Sequence, residues 1–266
     1  MDMDYFGRGT LEDYIDRLCE TMKYADKGWS ERVRPATAEQ IERLYSLAGF
    51  EAPAFKIPQA YMSYLKRMGQ DDGGLLECGQ CTGVNIDTIC RKYENYAVYT
   101  PEFDRSRYLL IATDWTDSEL YLDLTKGDNP PVYCNFYANG LYASSFEKFT
   151  FLMAFDIMMN KQHLFCDFIS LSLQKVQALL GRPYENKENL GETMQERLAF
   201  ATKLLEPYSL QQAWFSDEVR CCCFGEKMAV KVDVSFAISI AFSGDDKILI
   251  QKMKEELERK VINMVY

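Results

Sequence analysis

Residues 118–125 read SELYLDLT, and this stretch carries the clearest two-residue period in the chain. Its leucines alternate with polar positions: Leu120, Leu122 and Leu124 against Glu119, Tyr121 and Asp123. Successive side chains of a β-strand point to opposite faces of the sheet, so the pattern predicts a strand with one buried and one solvent-facing side. Neighbouring strands are expected in RYLLIATD (107–114) and, after the turn GDNPP (127–131), in VYCNFYA (132–138).

Helical periods surround these strands. Three helices are predicted upstream, in LEDYIDRLCETMKY (11–24), TAEQIERLYSLAG (37–49) and IPQAYMSYLKRMG (57–69), and one downstream, in ASSFEKFTFLMAFDIMM (143–159). Capping boxes are expected at Thr37 with Gln40 and at Ser144 with Glu147, and Pro58 suits the first position of a helix. Between helix and sheet, VNIDTI (84–89) and YAVYT (96–100) resemble strands. This order predicts an α+β fold with a mostly antiparallel sheet flanked by helices.

The remainder of the chain reads as an additional α+β segment. Helices are predicted in SLQKVQALLG (172–181), ETMQERLAFATKLLE (192–206) and DDKILIQKMKEELERKVINMV (245–265). Strands are predicted in EVRCCCFG (218–225) and MAVKVDVSFAISIAFSG (228–244), joined by a hairpin turn at 225–227. We therefore expect two parts, residues 1–160 as an α+β domain with an N-terminal helix and residues 161–266 as a C-terminal extension of unknown role.

The charge of the chain is unevenly distributed. The formal net charge is −10, with 25 acids and 16 bases in residues 1–160 but 15 acids and 14 bases in residues 161–266. An acidic surface repels nucleic acid and attracts a basic protein. The first residues, MDMDYFGRGTLEDY, are acidic and lack the apolar core of a signal peptide, and no run of apolar residues is long enough to span a membrane. With nine scattered cysteines, this favours a cytoplasmic protein with reduced thiols.

Motifs for catalysis or metal binding are weak. Cys78 and Cys81 have zinc-ligand spacing but no second pair, and the run 221–223 lies in a predicted strand, where adjacent thiols face opposite sides. His163 is the single histidine, and no nucleophile motif accompanies it. We predict no metal and no cofactor. Acid–base catalysis by a pair of carboxylates has no sequence signature and stays open.

Two acidic stretches stand out. Within residues 113–128 acids are interleaved with aromatic residues, which is typical of a protein-contact surface, although a solvated hairpin explains the pattern equally well. In the stretch 57–76, two acids precede Gly73 and Gly74, and their charge makes a phosphate-binding loop improbable. The predicted contact residues are Asp114, Trp115, Asp117, Glu119, Tyr121 and Asp123, with Asp71 and Asp72 at the rim.

The pattern over residues 36–155 resembles the SUKH superfamily, which includes bacterial toxin-immunity proteins and fungal cell-wall regulators. The resemblance rests on Pro58, Tyr61, Leu65, Gly73, Gly74, Leu110, Ile111, Asp114, Tyr121, Asp123, Val132, Ser145, Phe146 and Phe149. It departs from the family pattern before Pro58, before the glycine pair and in the length of the segment 74–105. The resemblance implies a non-enzymatic domain that binds a protein, most simply an immunity protein for a basic, possibly nuclease, toxin domain. A regulatory or scaffold module, or a carboxylate-based enzyme, are the alternatives.

Overall fold

Two antiparallel sheets, each combined with helices, make up the computed structural model. The structure describes residues 3–48, 56–76, 81–99, 107–114, 119–134, 140–171, 190–235 and 237–265. The chain divides into an N-terminal unit, Arg8–Ile157, and a C-terminal unit, Met158–Tyr266 together with Met1–Gly7. The predicted α+β class, with antiparallel sheets flanked by helices, is confirmed.

The helices of the N-terminal unit precede its sheet, follow it and, in one case, lie between its first two strands in the sequence. The helices are α1 (Tyr14–Ala25), α2 (Trp29–Arg32), α3 (Ala38–Ala48), α4 (Gln59–Met68), α5 (Ile86–Tyr99) and α6 (Phe146–Lys161). The strands are β1 (Cys81–Thr82), β2 (Tyr108–Asp114), β3 (Glu119–Asp123), β4 (Val132–Cys134) and β5 (Leu141–Ala143). They lie in the order β1-β2-β3-β4-β5, and every neighbouring pair is antiparallel.

Helices α3 and α4 form where the sequence predicts them. Gln40 N–H donates to the Thr37 hydroxyl at 3.2 Å, and the Gln40 side chain accepts from Thr37 N–H at 2.8 Å, so the capping box is confirmed. Pro58 lies one residue before α4 rather than at its first position. The predicted apolar stripe of α4 is buried, and its members Tyr61 and Tyr64 both meet Phe146 edge-on.

Three local predictions in the N-terminal unit were wrong, two strands and one helix cap. The predicted strands VNIDTI and YAVYT do not form, because residues 86–89 and 96–99 belong to one helix, α5, which begins after Asn85. The Asn85 side chain accepts from Asp87 N–H at 2.8 Å and so caps the helix, while Ile86, Ile89 and Tyr93 turn inward at helical spacing. For α6, the cap is Ser145 rather than Ser144, because the Ser145 hydroxyl accepts from Lys148 N–H at 3.1 Å.

The C-terminal unit is a sheet with two helices on one face. Its elements are β6 (Phe165–Leu171), α7 (Leu190–Leu205), β7 (Gln211–Gln212), β8 (Arg220–Phe224), β9 (Met228–Asp233), β10 (Ile238–Gly244) and α8 (Lys247–Val265). The strand order is β6-β10-β9-β8-β7, with antiparallel neighbours throughout. Strand β6 was not predicted, and the single strand expected over 228–244 is the hairpin β9–β10. The helix predicted over 172–181 lies outside the described residues.

One apolar core holds this unit together. Alternate residues of β6, β8, β9 and β10 pack against the inward stripes of α7 and α8. Cys221 and Cys223 point into this core and Cys222 points to the opposite face, so all three act as buried small apolar residues. The predicted stripe of α8, Ile250, Met253, Leu257 and Val261, is buried. Among the described residues, no helix has the length and apolar character needed to cross a membrane.

Candidate functional site

The corner after α4 is built around a buried carboxylate, that of Asp72. Its side chain accepts hydrogen bonds from the N–H groups of Gly74 (2.9 Å), Leu75 (3.0 Å) and Leu76 (2.8 Å) and from the hydroxyl of Tyr64 (3.0 Å). Burial raises the pKa of Asp72 against the lowering effect of these hydrogen bonds. The prediction that Asp72 lies at the rim of a contact surface was wrong, because its side chain is only 3% exposed.

Asp71 is the exposed member of this acidic pair. Its backbone forms an antiparallel bridge with Arg34, and its carboxylate accepts from Gly73 N–H at 2.9 Å. Gly73 and Gly74 both have positive φ, +67° and +86°, which side-chain-bearing residues rarely adopt. The two aspartates therefore have different roles, since Asp72 fixes the turn and Asp71 remains accessible to a partner.

The predicted residues of β3 share one face of the sheet. The pairing register sets Tyr121 beside Tyr133 of β4 and Asp123 beside Tyr108 of β2. The ring of Tyr108 lies 6.4 Å from that of Tyr121 and 6.2 Å from that of Tyr133. The structure thus brings Glu119, Tyr121 and Asp123 together, and it adds Tyr108 and Tyr133, which the sequence analysis did not select.

This β3 face is buried rather than wet. Asp123 is fully buried and accepts from Arg107 (3.0 Å), from the Thr125 hydroxyl (2.6 Å) and from Thr125 N–H (3.0 Å). Glu119 accepts the hydroxyl hydrogen bond of Tyr121, and these side chains are 9% and 8% exposed. The prediction that these three residues form a solvent-facing contact surface was therefore wrong, since neighbouring groups already occupy their polar atoms.

The Asp123–Arg107 pair also sets local electrostatics. Burial acts to raise the pKa of Asp123, but the hydrogen bonds from Arg107 and Thr125 prevail and hold it below its usual range. Burial, with the charge of Asp123 nearby, raises the pKa of Tyr133. Of the other predicted contact residues, Asp114 is the last residue of β2, and only its backbone is described. Trp115 and Asp117 lie outside the described residues.

A surface that the sequence analysis missed lies between α3 and α4. This α3–α4 groove has a volume of about 420 Å³ and is lined by Ala36, Ala38, Ile41, Glu42, Tyr45, Met62 and Lys66. Tyr45 is 46% exposed, so a large aromatic side chain is accessible in this groove. The spacing was visible in the sequence: residues 38, 41, 42 and 45 follow one helical row, separate from the buried row of Leu44 and Ala48.

The groove is mainly apolar and carries little chemistry for catalysis. Glu42 and Lys66 are its charged lining residues, and both are exposed. Glu39, one turn before Arg43 on the same helix, is also exposed, whereas Arg43 itself is bound to Glu94 at 2.6 Å. The groove therefore presents an aromatic side chain and apolar walls, with acids on α3 and Lys66 on α4, and aromatic and apolar groups inside a polar rim are typical of a protein-docking surface.

No protein-family model, curated protein or solved structure matches the chain. Within the described part of the chain, no group of three histidine, cysteine or acidic side chains is arranged to hold a metal ion. Cys81 of the sequence motif is buried in β1, and Cys78 lies outside the described residues.

Proposed function

We propose that the N-terminal unit is a non-enzymatic protein-binding domain that neutralises a basic partner, as an immunity protein neutralises a toxin domain, by direct binding at the α3–α4 groove. The observation that carries this proposal is the groove itself, where Tyr45 stands 46% exposed beside apolar walls from two helices. Large, rigid aromatic side chains of this kind supply binding energy at small entropic cost.

One wall of the groove is anchored in the core, which supports binding by docking. Helix α4 contributes Met62 and Lys66 to the groove while its opposite side is locked in the core by Tyr61, Tyr64 and Leu65. Ala36 N–H donates to Leu65 O at 3.0 Å and ties the segment before α3 to α4. A preformed groove loses little conformational entropy when a partner enters it.

Charge supports a basic partner. The N-terminal unit contains 23 acids and 16 bases, so its field attracts cations over distances beyond direct contact. The internal pairs described above already satisfy Asp72 and Asp123, which leaves exposed acids such as Glu39, Glu42 and Asp71 to steer association. A toxin that acts on nucleic acid has the complementary positive surface.

The resemblance to the SUKH superfamily supports the same proposal. Its motif residues Tyr61 and Leu65 lie in α4, which forms one wall of the groove, and Pro58 directly precedes that helix. Most of the motif residues that the structure describes are buried, as expected if they maintain a scaffold on which the binding surface varies.

The direct test is inhibition of an identified partner. The protein that co-purifies with the chain from its native cell, or the product of the adjacent gene, would be purified and its toxic activity titrated with the wild-type chain. We expect complete inhibition at equimolar ratio and a basic partner. Full partner activity in the presence of excess chain, or turnover by the chain that is lost when a single acid is replaced, would overturn the proposal.

A further inference from the structure

Within the described residues of the C-terminal unit, β6 is the outermost strand at one end of the sheet. Among the described residues, β6 pairs with β10 along its seven residues and with no strand on its other side. It contains neither proline nor lysine, two residues that often protect such an edge, and its one charged residue, Asp167, is bound to Lys254. Its outer face presents Cys166, Phe168 and Ser170, and Phe168 is 63% exposed.

Exposed apolar side chains concentrate around this edge. Six large apolar side chains are exposed among the described residues, and four belong to β6, to the residue before it or to α8: Leu164, Phe168, Ile248 and Ile262. A groove of about 520 Å³ is lined by residues of β6 and α8, and Lys254 of α8 binds Asp167 of β6 at 2.8 and 3.0 Å. Edge, groove and helix thus form one continuous surface along which apolar side chains are exposed. On β6 itself, Phe168 N–H donates to the Asp167 carboxylate at 2.8 Å.

We propose that this β6–α8 surface binds a second copy of the chain, with the two β6 strands paired antiparallel about a two-fold axis at Phe168. The pairing joins the two five-stranded sheets into one sheet of ten strands. Such an interface is self-complementary, because each copy offers the same strand edge and the same helix.

The sequence of β6 favours a pairing register with the two-fold axis at Phe168. Phe168 is the midpoint of β6 (Phe165–Leu171), so an axis at Phe168 lets all seven residues of each strand find a partner. Opposed residues must lie on the same face, and the neighbouring axis at Asp167 would set two carboxylates directly against each other. With the axis at Phe168, the two exposed phenylalanines meet and Cys166 faces Ser170 of the second copy.

The charge pattern of α8 fits the same axis. Residues 247–254 contain three lysines and no acid, whereas residues 255–261 contain three glutamates against Arg259 and Lys260. An antiparallel pair of α8 helices sets the cationic half of each against the anionic half of the other. Ile248 and Ile262, about 21 Å apart on the same side of the helix, then meet reciprocally across the pair.

The spacing of the layers is also compatible with two adjacent α8 helices. Helix α8 contacts both β6 and β10, so it lies over this pair of strands. Neighbouring strands are about 4.8 Å apart, so helices over successive strand pairs are separated by about 10 Å. That is the usual distance between packed helices, so the α8 helix of the second copy occupies the open side of the groove.

The first test is the mass of the full chain in solution, measured by sedimentation or light scattering over a concentration series. The wild type is expected to be dimeric, and Phe168→Lys is expected to be a folded monomer because it places two charges at the axis. Tyr45→Lys, an equivalent change at another exposed aromatic residue, is expected to leave the dimer intact. A wild type that stays monomeric at every concentration, or a Phe168→Lys variant that dimerises normally, would overturn the proposal.

The second test examines the register. In Ser170→Cys, each new thiol faces Cys166 of the other copy, so oxidised glutathione is expected to produce a covalent dimer with loss of two thiols per bond. The matched control is the exchange Cys166→Ser with Ser170→Cys, in which each thiol faces a serine and no cross-link forms. Equal cross-linking of both variants, or of neither, would contradict an axis at Phe168. Both tests concern the C-terminal unit and can fail while inhibition of a partner succeeds.

Discussion

The hydroxyl of Tyr64 donates to the carboxylate of Asp72 at 3.0 Å inside the corner that follows α4. Both side chains are buried, and the carboxylate also accepts hydrogen bonds from three backbone N–H groups of the turn. This single side chain connects the helix that forms one wall of the α3–α4 groove to the chain leaving it. The sequence motif Asp-Asp-Gly-Gly is therefore a structural support for the proposed binding surface.

Asp72→Asn is expected to lower the free energy of unfolding by about 2 kcal/mol, because an amide cannot accept from both the turn N–H groups and Tyr64. Urea unfolding followed by circular dichroism measures the change. Asp71→Asn is the matched control: it retains the oxygen that accepts from Gly73 and is expected to change stability by less than about 0.5 kcal/mol. Equal losses for the two variants would contradict the assigned roles.

The adjacent glycines provide a second matched pair. A Cβ at Gly73 would lie 2.7 Å from Cδ1 of buried Trp29, whereas nothing lies within 4 Å of a Cβ at Gly74. Both residues have positive φ, so both substitutions by alanine cost about 1 kcal/mol of backbone strain. In the same measurement, Gly73→Ala should lower the free energy of unfolding by about 2 kcal/mol more than Gly74→Ala, because the side chain of Trp29 must move. The reverse order would show that the corner is not packed as described.

Stability should depend on pH through Asp123. The pKa of this carboxyl is lowered from its ordinary value of 3.8, so its ionised form stabilises the fold above pH 3.8 and this contribution is lost as the pH falls through the lowered pKa. We expect the wild type to exceed Asp123→Asn in unfolding free energy by about 2 kcal/mol at neutral pH. The difference should shrink below pH 3.8. Asp128→Asn, at an exposed acid, is the control, and a difference that is constant with pH would argue against the Arg107–Asp123 pair.

Association with a basic partner should be steered by the exposed acids on α3. Replacing both Glu39 and Glu42 with lysine changes the local charge by four units beside the groove, so the association rate should fall by at least about tenfold at low salt. The rate should also become less sensitive to salt. Stopped-flow mixing measures both. Replacing the exposed Glu226 and Glu206 of the C-terminal unit in the same way is the control for net charge. An association rate equal to that of the wild type would contradict charge steering by these acids.

The sequence predicted correctly those helices and strands that carry a clear cap, apolar stripe or alternation of their own. Helices α3 and α4 carry a cap and a clear apolar stripe, and β3 alternates strictly, so all three were foreseen. Helix α5 was missed because VNIDTI contains a short alternation that hides the wider spacing of Ile86, Ile89 and Tyr93. Strand β6 was missed because its sequence, FCDFISL, does not alternate cleanly between apolar and polar residues.

The candidate site was harder to predict because burial is a property of the whole fold. The acids of β3 resemble a wet surface in sequence, yet Arg107 and Tyr121 hydrogen-bond to two of them in the interior. Conversely, Tyr45 belongs to a predicted helix, and its exposure became evident only when α4 was placed beside α3. Sequence patterns identified the residue types of a protein-binding surface but not which of them remain accessible.

We propose that a protein partner docks in the α3–α4 groove. The most direct measurement is calorimetric titration of the identified partner into the wild-type chain, into Tyr45→Lys and into Phe168→Lys, after circular dichroism has shown that all three are folded. A central aromatic anchor contributes about 2 kcal/mol or more, so we expect Tyr45→Lys to bind at least about 30-fold more weakly while Phe168→Lys keeps wild-type affinity. Equal affinity of the partner for the wild type and Tyr45→Lys would contradict the claim.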